Sequence, residues 1–133
     1  KVGMNVAVAT PDGYKPDGAV LEFTKGYGDK FALETDPFMA ASGADILITD
    51  TWTSMGEEAE KEERKKIFKD YQINRQLLAA ANAGAMVQHC LPAYRGQEIT
   101  EEVFEEHADE IFNEAENRLH AQKAVMVKLM KKD

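Results

Sequence analysis

The chain has 133 residues, 44% hydrophobic and 30% charged, with a formal net charge of −8 and a single cysteine. That is one domain's worth, long enough to bury a core without staples, and the lone cysteine excludes an internal disulfide framework and suits a reducing compartment. The acid excess excludes a phosphate-backbone binder, and no apolar run approaches the roughly 20 residues that span a bilayer, so neither nucleic acid nor membrane is an expected partner.

In chain order, residues 5–10 read as a buried strand around Val6-Ala7-Val8-Ala9, followed by turn chemistry at Pro11-Asp12-Gly13. Residues 16–27 read as a helix eroded by Gly18, Gly26 and Gly28. Residues 31–35 form a second strand, and Asp36-Pro37 starts a short helix, the aspartate as N-cap and the proline at the first helical position. The run Ile46-Leu47-Ile48-Thr49-Asp50 is the clearest strand, apolar enough to be covered on both faces. Residues 57–69 form a polar helix with acids in its first turn and bases in its last, supported by Glu60–Arg64 and Glu62–Lys66 pairs. A helix over 74–82 stops at Gly84, and 86–91 is the fourth strand. Thr100 caps a helix reaching His107, Ile111-Phe112 is a short fifth strand, and a last helix runs over 115–131. The basic tail of that helix (Lys128, Lys131, Lys132) reads as a solvated helix end.

Strands alternating with helices predict an α/β protein: a three-layer Rossmann-like or flavodoxin-like sandwich with a mostly parallel five-stranded sheet. In such sheets ligands sit at the carboxyl ends of the strands. Those ends are Thr10, Asp50-Thr51-Trp52 and His89-Cys90-Leu91. The sheet rule alone therefore points at Asp50 and Cys90.

Two runs follow those ends. In Asp50-Thr51-Trp52-Thr53-Ser54-Met55-Gly56, Ser54 with Glu57 also makes a capping box, and Asp50 also suits a loop hydrogen bond. In His89-Cys90-Leu91-Pro92, adjacent strand residues point to opposite faces, which argues against His89 activating Cys90 as a nucleophile. Cys90 reads as a polar contact or as a small core hydrophobe. The histidines at 89, 107 and 120 lack metal spacing, so no metal is expected. Arg118 offers a planar fork to an anion, or a partner to Glu114 or Asp109. There is no glycine-rich phosphate loop.

Together with Val6-Ala7-Val8-Ala9-Thr10-Pro11-Asp12-Gly13-Tyr14 and Ala115-Glu116-Asn117-Arg118-Leu119-His120-Ala121-Gln122-Lys123-Ala124, these runs resemble the ornithine carbamoyltransferases, specifically their C-terminal, ornithine-binding domain, over essentially the whole chain. The resemblance implies that Asp50, Ser54 and Met55 hold the α-amino and carboxylate groups of L-ornithine. It places Cys90 by the δ-amine, the backbone of Cys90 and Leu91 against the carbamoyl group, and Arg118 on carbamoyl phosphate, with His89 and Pro92 nearby. Asp50 and Cys90 are the implied catalytic pair, and no cofactor is implied. The family's serine-threonine-arginine-threonine and histidine-proline-x-glutamine motifs, which belong to its N-terminal carbamoyl-phosphate domain, are not in this sequence. Nor is the glycine-aspartate-glycine-asparagine-asparagine run expected before residue 1, so the domain over 1–133 is expected to be truncated by about one strand and one helix. That strand would be central in the family's sheet, and without it the first and third strands are expected to pair directly, giving the order 2-1-3-4-5. The resemblance also implies a cytoplasmic location, or the mitochondrial matrix for a eukaryotic parent. It implies little activity for this chain alone, and a last helix whose apolar face offers a surface for self-association. Two other readings stand beside it: a non-catalytic fragment or engineered α/β scaffold, and a carbamoyltransferase for another amine such as putrescine.

Overall fold

A computed structural model describes residues 3–53 and 60–131. Four short strands and six helices appear among them: β1 (Val6–Ala9), α1 (Gly18–Thr24), β2 (Phe31–Glu34), α2 (Pro37–Ala41), β3 (Ile46–Thr49), α3 (Lys61–Ile67), α4 (Arg75–Ala80), β4 (Met86–His89), α5 (Glu101–Glu106) and α6 (Ala108–Met130).

Local chemistry sets most of the boundaries. The Asp17 carboxylate accepts from the Ala19 amide to start α1, which gives way to a 3₁₀ turn over Lys25–Lys30 where Gly28 sits at φ 57°. Asp36 accepts from Phe38 N–H, with Pro37 in the first position, as the sequence predicts. Asn74 accepts from the Gln76 and Leu77 amides, and Thr100 Oγ1 from the Val103 amide. In α3 the Glu60–Arg64 pair forms at 3.0 Å, whereas Glu62 takes Lys65 at 2.9 Å, three residues away rather than the expected four. The expected Ser54–Glu57 capping box lies outside the described residues.

The sheet departs from expectation. β1 pairs in parallel with β2 and β3 with β4, but β1 and β3 are not hydrogen-bonded to each other, so the order is two separate pairs rather than 2-1-3-4-5. A cavity of about 1120 Å³ separates the pairs, lined by Val6, Ala7 and Ala9 on one side and by β3 on the other. Nor is β3 covered on both faces: Leu47 is buried, but Ile48 on the opposite face is 70% exposed and lines this cavity.

The predicted fifth strand is absent. Ile111 and Phe112 lie in α6, which begins at Ala108 instead of near 115, with Ile111 N–H donating to His107 O at 3.0 Å. Two apolar neighbours carry no period, so strand and helix were indistinguishable there. Asp109 and Glu110 in the first turn suit the helix dipole. Where a fifth strand would bond β4, Glu110 reaches back instead: its carboxylate accepts from Val87 N–H at 2.9 Å and pairs with His107 Nδ1 at 3.0 Å. Burial pushes the Glu110 carboxyl up, but those two partners outweigh it and hold it below the usual range. The extended pairing outside the strands is a pair of isolated parallel bridges, Ile99 with Ile73 and with Arg95, and both isoleucines are buried.

The core gathers under β4, where Val87, Ile99, Val103, Phe104 and Ile111 are sealed from solvent. Past Arg118, α6 leaves the core. Leu119, Val125, Met126, Leu129 and Met130 are exposed. No helix among the described residues is long and apolar enough to cross a membrane.

Candidate functional site

Register assembles the site. Thr49 of β3 lies beside His89 of β4, so the next residues, Asp50 and Cys90, leave the sheet together at its carboxyl end. The Cys90 thiol donates to Asp50 Oδ1 at 3.3 Å, and Thr51 N–H donates to the same oxygen at 2.7 Å. Burial pushes the thiol up from its ordinary range, and the hydrogen bond to Asp50, its charge and that of Glu114 push further in the same direction. The sulfur is thus held protonated, as a hydrogen-bond donor.

This has a measurable consequence. Alkylation of Cys90 by iodoacetamide is expected to have a midpoint above that of a free thiol. In Asp50→Ala, which removes both acceptor and charge, the rate at mildly alkaline pH is expected to rise about threefold. A rate unchanged by the substitution would show that Asp50 does not control the thiol.

His89 faces the other way, as strand alternation predicts, and is completely buried. Its Nδ1 accepts from Leu91 N–H at 2.9 Å and its Nε2 meets Glu98 Oε1 at 3.1 Å. Leu91 has φ 56° and is joined to Pro92 by a cis peptide bond. A leucine in the left-handed region costs about 1–2 kcal/mol, which the surrounding contacts must offset. Glu98 also accepts from Tyr94 N–H, through the same Oε1, at 2.6 Å. Nothing in the sequence marked Glu98, because it reads as one acid among many and its burial is a tertiary property.

Asp50, His89 and Cys90 bring donor atoms within 4.8 Å of one another. They suit a metal poorly. Both His89 nitrogens are engaged, and the thiol is pushed away from the thiolate form that metals bind.

The Trp52 loop is anchored by residues whose sequence context implied no such role. Arg64 Nη1 donates to Trp52 O at 3.3 Å, and its guanidinium lies over the Tyr14 ring. Phe68 stacks on Trp52 with ring centroids 6.1 Å apart and meets Tyr14 edge-on at 4.8 Å. This cluster closes the carboxyl ends of β1 and β3. Asp50, Thr51 and Trp52 touch the large cavity, but its walls are mainly strand edges and apolar side chains. It is a gap between the two strand pairs more than a ligand pocket. Arg118 is exposed on α6 and makes no hydrogen bond or ion pair among the described residues, so neither Glu114 nor Asp109 claims it. Ser54 and Met55 fall outside the described residues.

Comparison with known proteins fits this geometry. Residues 1–129 match the profile described as "Aspartate/ornithine carbamoyltransferase, Asp/Orn binding domain". An ornithine carbamoyltransferase of Gloeobacter violaceus is 56% identical over 134 aligned positions, covering 98% of this chain and 43% of the relative. The crystal structure of the Campylobacter jejuni anabolic ornithine carbamoyltransferase superposes with a TM-score of 0.87 at 45% identity, over 93% of this chain and 42% of that one. The Gloeobacter violaceus ornithine carbamoyltransferase structure gives 0.84 at 50% identity, over 98% and 44%. The chain therefore spans less than half the length of these relatives. Over that span it belongs to the aspartate/ornithine carbamoyltransferase family, as an Asp/Orn binding domain.

Proposed function

We propose that this domain supplies the ornithine-binding wall of a carbamoyltransferase site. In the reaction, the δ-amine of L-ornithine attacks the carbamoyl carbon of carbamoyl phosphate. A C–N bond forms, the C–O bond to phosphate breaks, and the amine loses its proton, giving L-citrulline and inorganic phosphate. The observation that carries the reading is the Cys90 thiol donating to Asp50 at the shared carboxyl end of β3 and β4.

The chemistry needs an amine with a free lone pair, and a carboxylate alone favours the ammonium. A protonated Cys90 adds no second negative charge and spends its proton on Asp50, softening that bias. Asp50 with Ser54 and Met55 takes the amino-acid end of ornithine, and the backbone of Cys90 and Leu91 meets the carbamoyl group. Arg118, exposed and without an ion pair among the described residues, suits carbamoyl phosphate. The rest of the phosphate site belongs to a second domain, for which the exposed apolar stretch of α6 offers a packing surface. The open edges of β1 and β3 support a parent sheet with one more strand between them.

Calorimetric titration of this chain with L-ornithine, norvaline and putrescine tests the reading. Heat is expected with ornithine and norvaline, which share the amino-acid end, and much less with putrescine. A preference for putrescine would move the reading to another amine acceptor. The open gap also favours a second reading, a fragment that folds without binding, and the absence of heat at millimolar ornithine would establish it. Turnover by this chain alone is expected to be absent, because half of the anion site is supplied elsewhere.

A further inference from the structure

The hydrogen bonds running from Glu98 through His89 to Leu91 are buried, yet they end on a backbone amide beside Cys90. We infer that Glu98 is a positioning residue for the carbamoyl group, acting through His89 on the Leu91 backbone. This rests on the proposed reading, in which that backbone meets the carbamoyl group.

The hydrogen bonds fix the protonation pattern. Leu91 N–H donates into His89 Nδ1, so that nitrogen must present its lone pair. The ring proton then sits on Nε2 and is donated to Glu98 Oε1. The opposite tautomer would set an N–H against the Leu91 N–H, so the Leu91 donor and the Glu98 acceptor favour the same tautomer, and without Glu98 the Nε2–H would be buried with no acceptor. The same carboxylate oxygen takes Tyr94 N–H, so Glu98 pins the loop on both sides of Leu91 and Pro92. Leu91 lies in the left-handed region, a conformation leucine does not hold unaided.

Packing alone does not account for this acid. Its side chain is 1% exposed and that of His89 is 0% exposed, so neither reaches a ligand. Glu98 Oε2 is buried with no hydrogen-bond partner among the described residues, an arrangement a leucine of similar size would avoid. Nor does the network work through the sulfur, because the Cys90 thiol donates to Asp50. The remaining route to the site is Leu91.

The test uses NMR on this chain, following the His89 ring nitrogens and titrating L-citrulline, which carries the transferred carbamoyl group, against L-ornithine, which lacks it. Wild type is expected to show the Nε2-protonated ring, and Glu98→Gln, which keeps the Oε1 acceptor, to retain it. Glu98→Leu is expected to mix the tautomers, weaken citrulline about tenfold and leave ornithine within about twofold. Should Glu98→Leu fail to fold, the pair His89→Asn and His89→Leu decides. An asparagine oxygen can accept from the amide two residues on and should keep citrulline affinity near wild type, whereas leucine should weaken citrulline and not ornithine. An Nδ1-protonated ring in wild type, or equal effects on both ligands in folded variants, overturns the inference. Failure of wild type to bind ornithine overturns the parent reading and this one with it.

Discussion

Replacing Ile111 by alanine is expected to cost this chain about 2–5 kcal/mol of unfolding free energy, the range for removing a sealed aliphatic side chain. Ile111 is completely buried and sits in the core cluster with Val87, Val103 and Phe104. It has little freedom to collapse into the space, because Glu110 beside it is tied to Val87 N–H and the Phe104 ring meets Phe112 edge-on at 6.1 Å. Phe112→Ala should cost far less, since that ring is 55% exposed. Urea unfolding of both variants checks the pair. With a slope of about 1–3 kcal/mol/M, the Ile111 variant should lose about 1 M or more in midpoint. Equal losses would show that α6 does not dock on β4 through the Ile111 face.

The same residue shows why part of the fold escaped sequence reading. Asp36 and Thr100 were legible as caps because a cap is settled within three residues, and each side chain takes an amide of the turn it starts. Ile111-Phe112 was not legible. Its helical state depends on Asp109 and Glu110 at the helix start and on a β4 amide that Glu110 satisfies from another element. The separation of β1 from β3 escaped for a related reason. Strand pairing is a contact between distant segments, and neither strand's own residues reveal what lies along its open edge.

The site divides along the same line. Asp50 and Cys90 could be placed together because each follows a parallel strand directly, and parallel strands end side by side. The alternation that turned His89 away from Cys90 is equally local. Glu98 and Arg64 act across longer chain distances, and their roles come from burial and approach that composition does not encode. Arg118 was legible as a residue but not as a contact: nothing among the described residues brings it to the Asp50–Cys90 pair.

The sharpest test of the binding site is Asp50→Ala, which is expected to weaken L-ornithine about 10- to 30-fold, the worth of one charge-assisted hydrogen bond in a partly solvated site. Solvent screening sets the upper end, because Asp50 is exposed. Asp50→Asn should fall between wild type and Ala, since the amide oxygen still accepts from Thr51 N–H and from the Cys90 thiol while the charge is gone. Cys90→Ser supplies the complementary arm: a hydroxyl also donates to Asp50, so the affinity should change less than about threefold. The ordering Ala, Asn, Ser separates a charge role for Asp50 from a purely structural one. If Asn binds ornithine as well as wild type, the carboxylate charge is not what holds the amine. If Ser loses as much affinity as Ala, the thiol contributes through its own contact with the ligand and not by donating to Asp50. Calorimetry on the three variants, with urea midpoints to confirm that each is folded, decides between these outcomes.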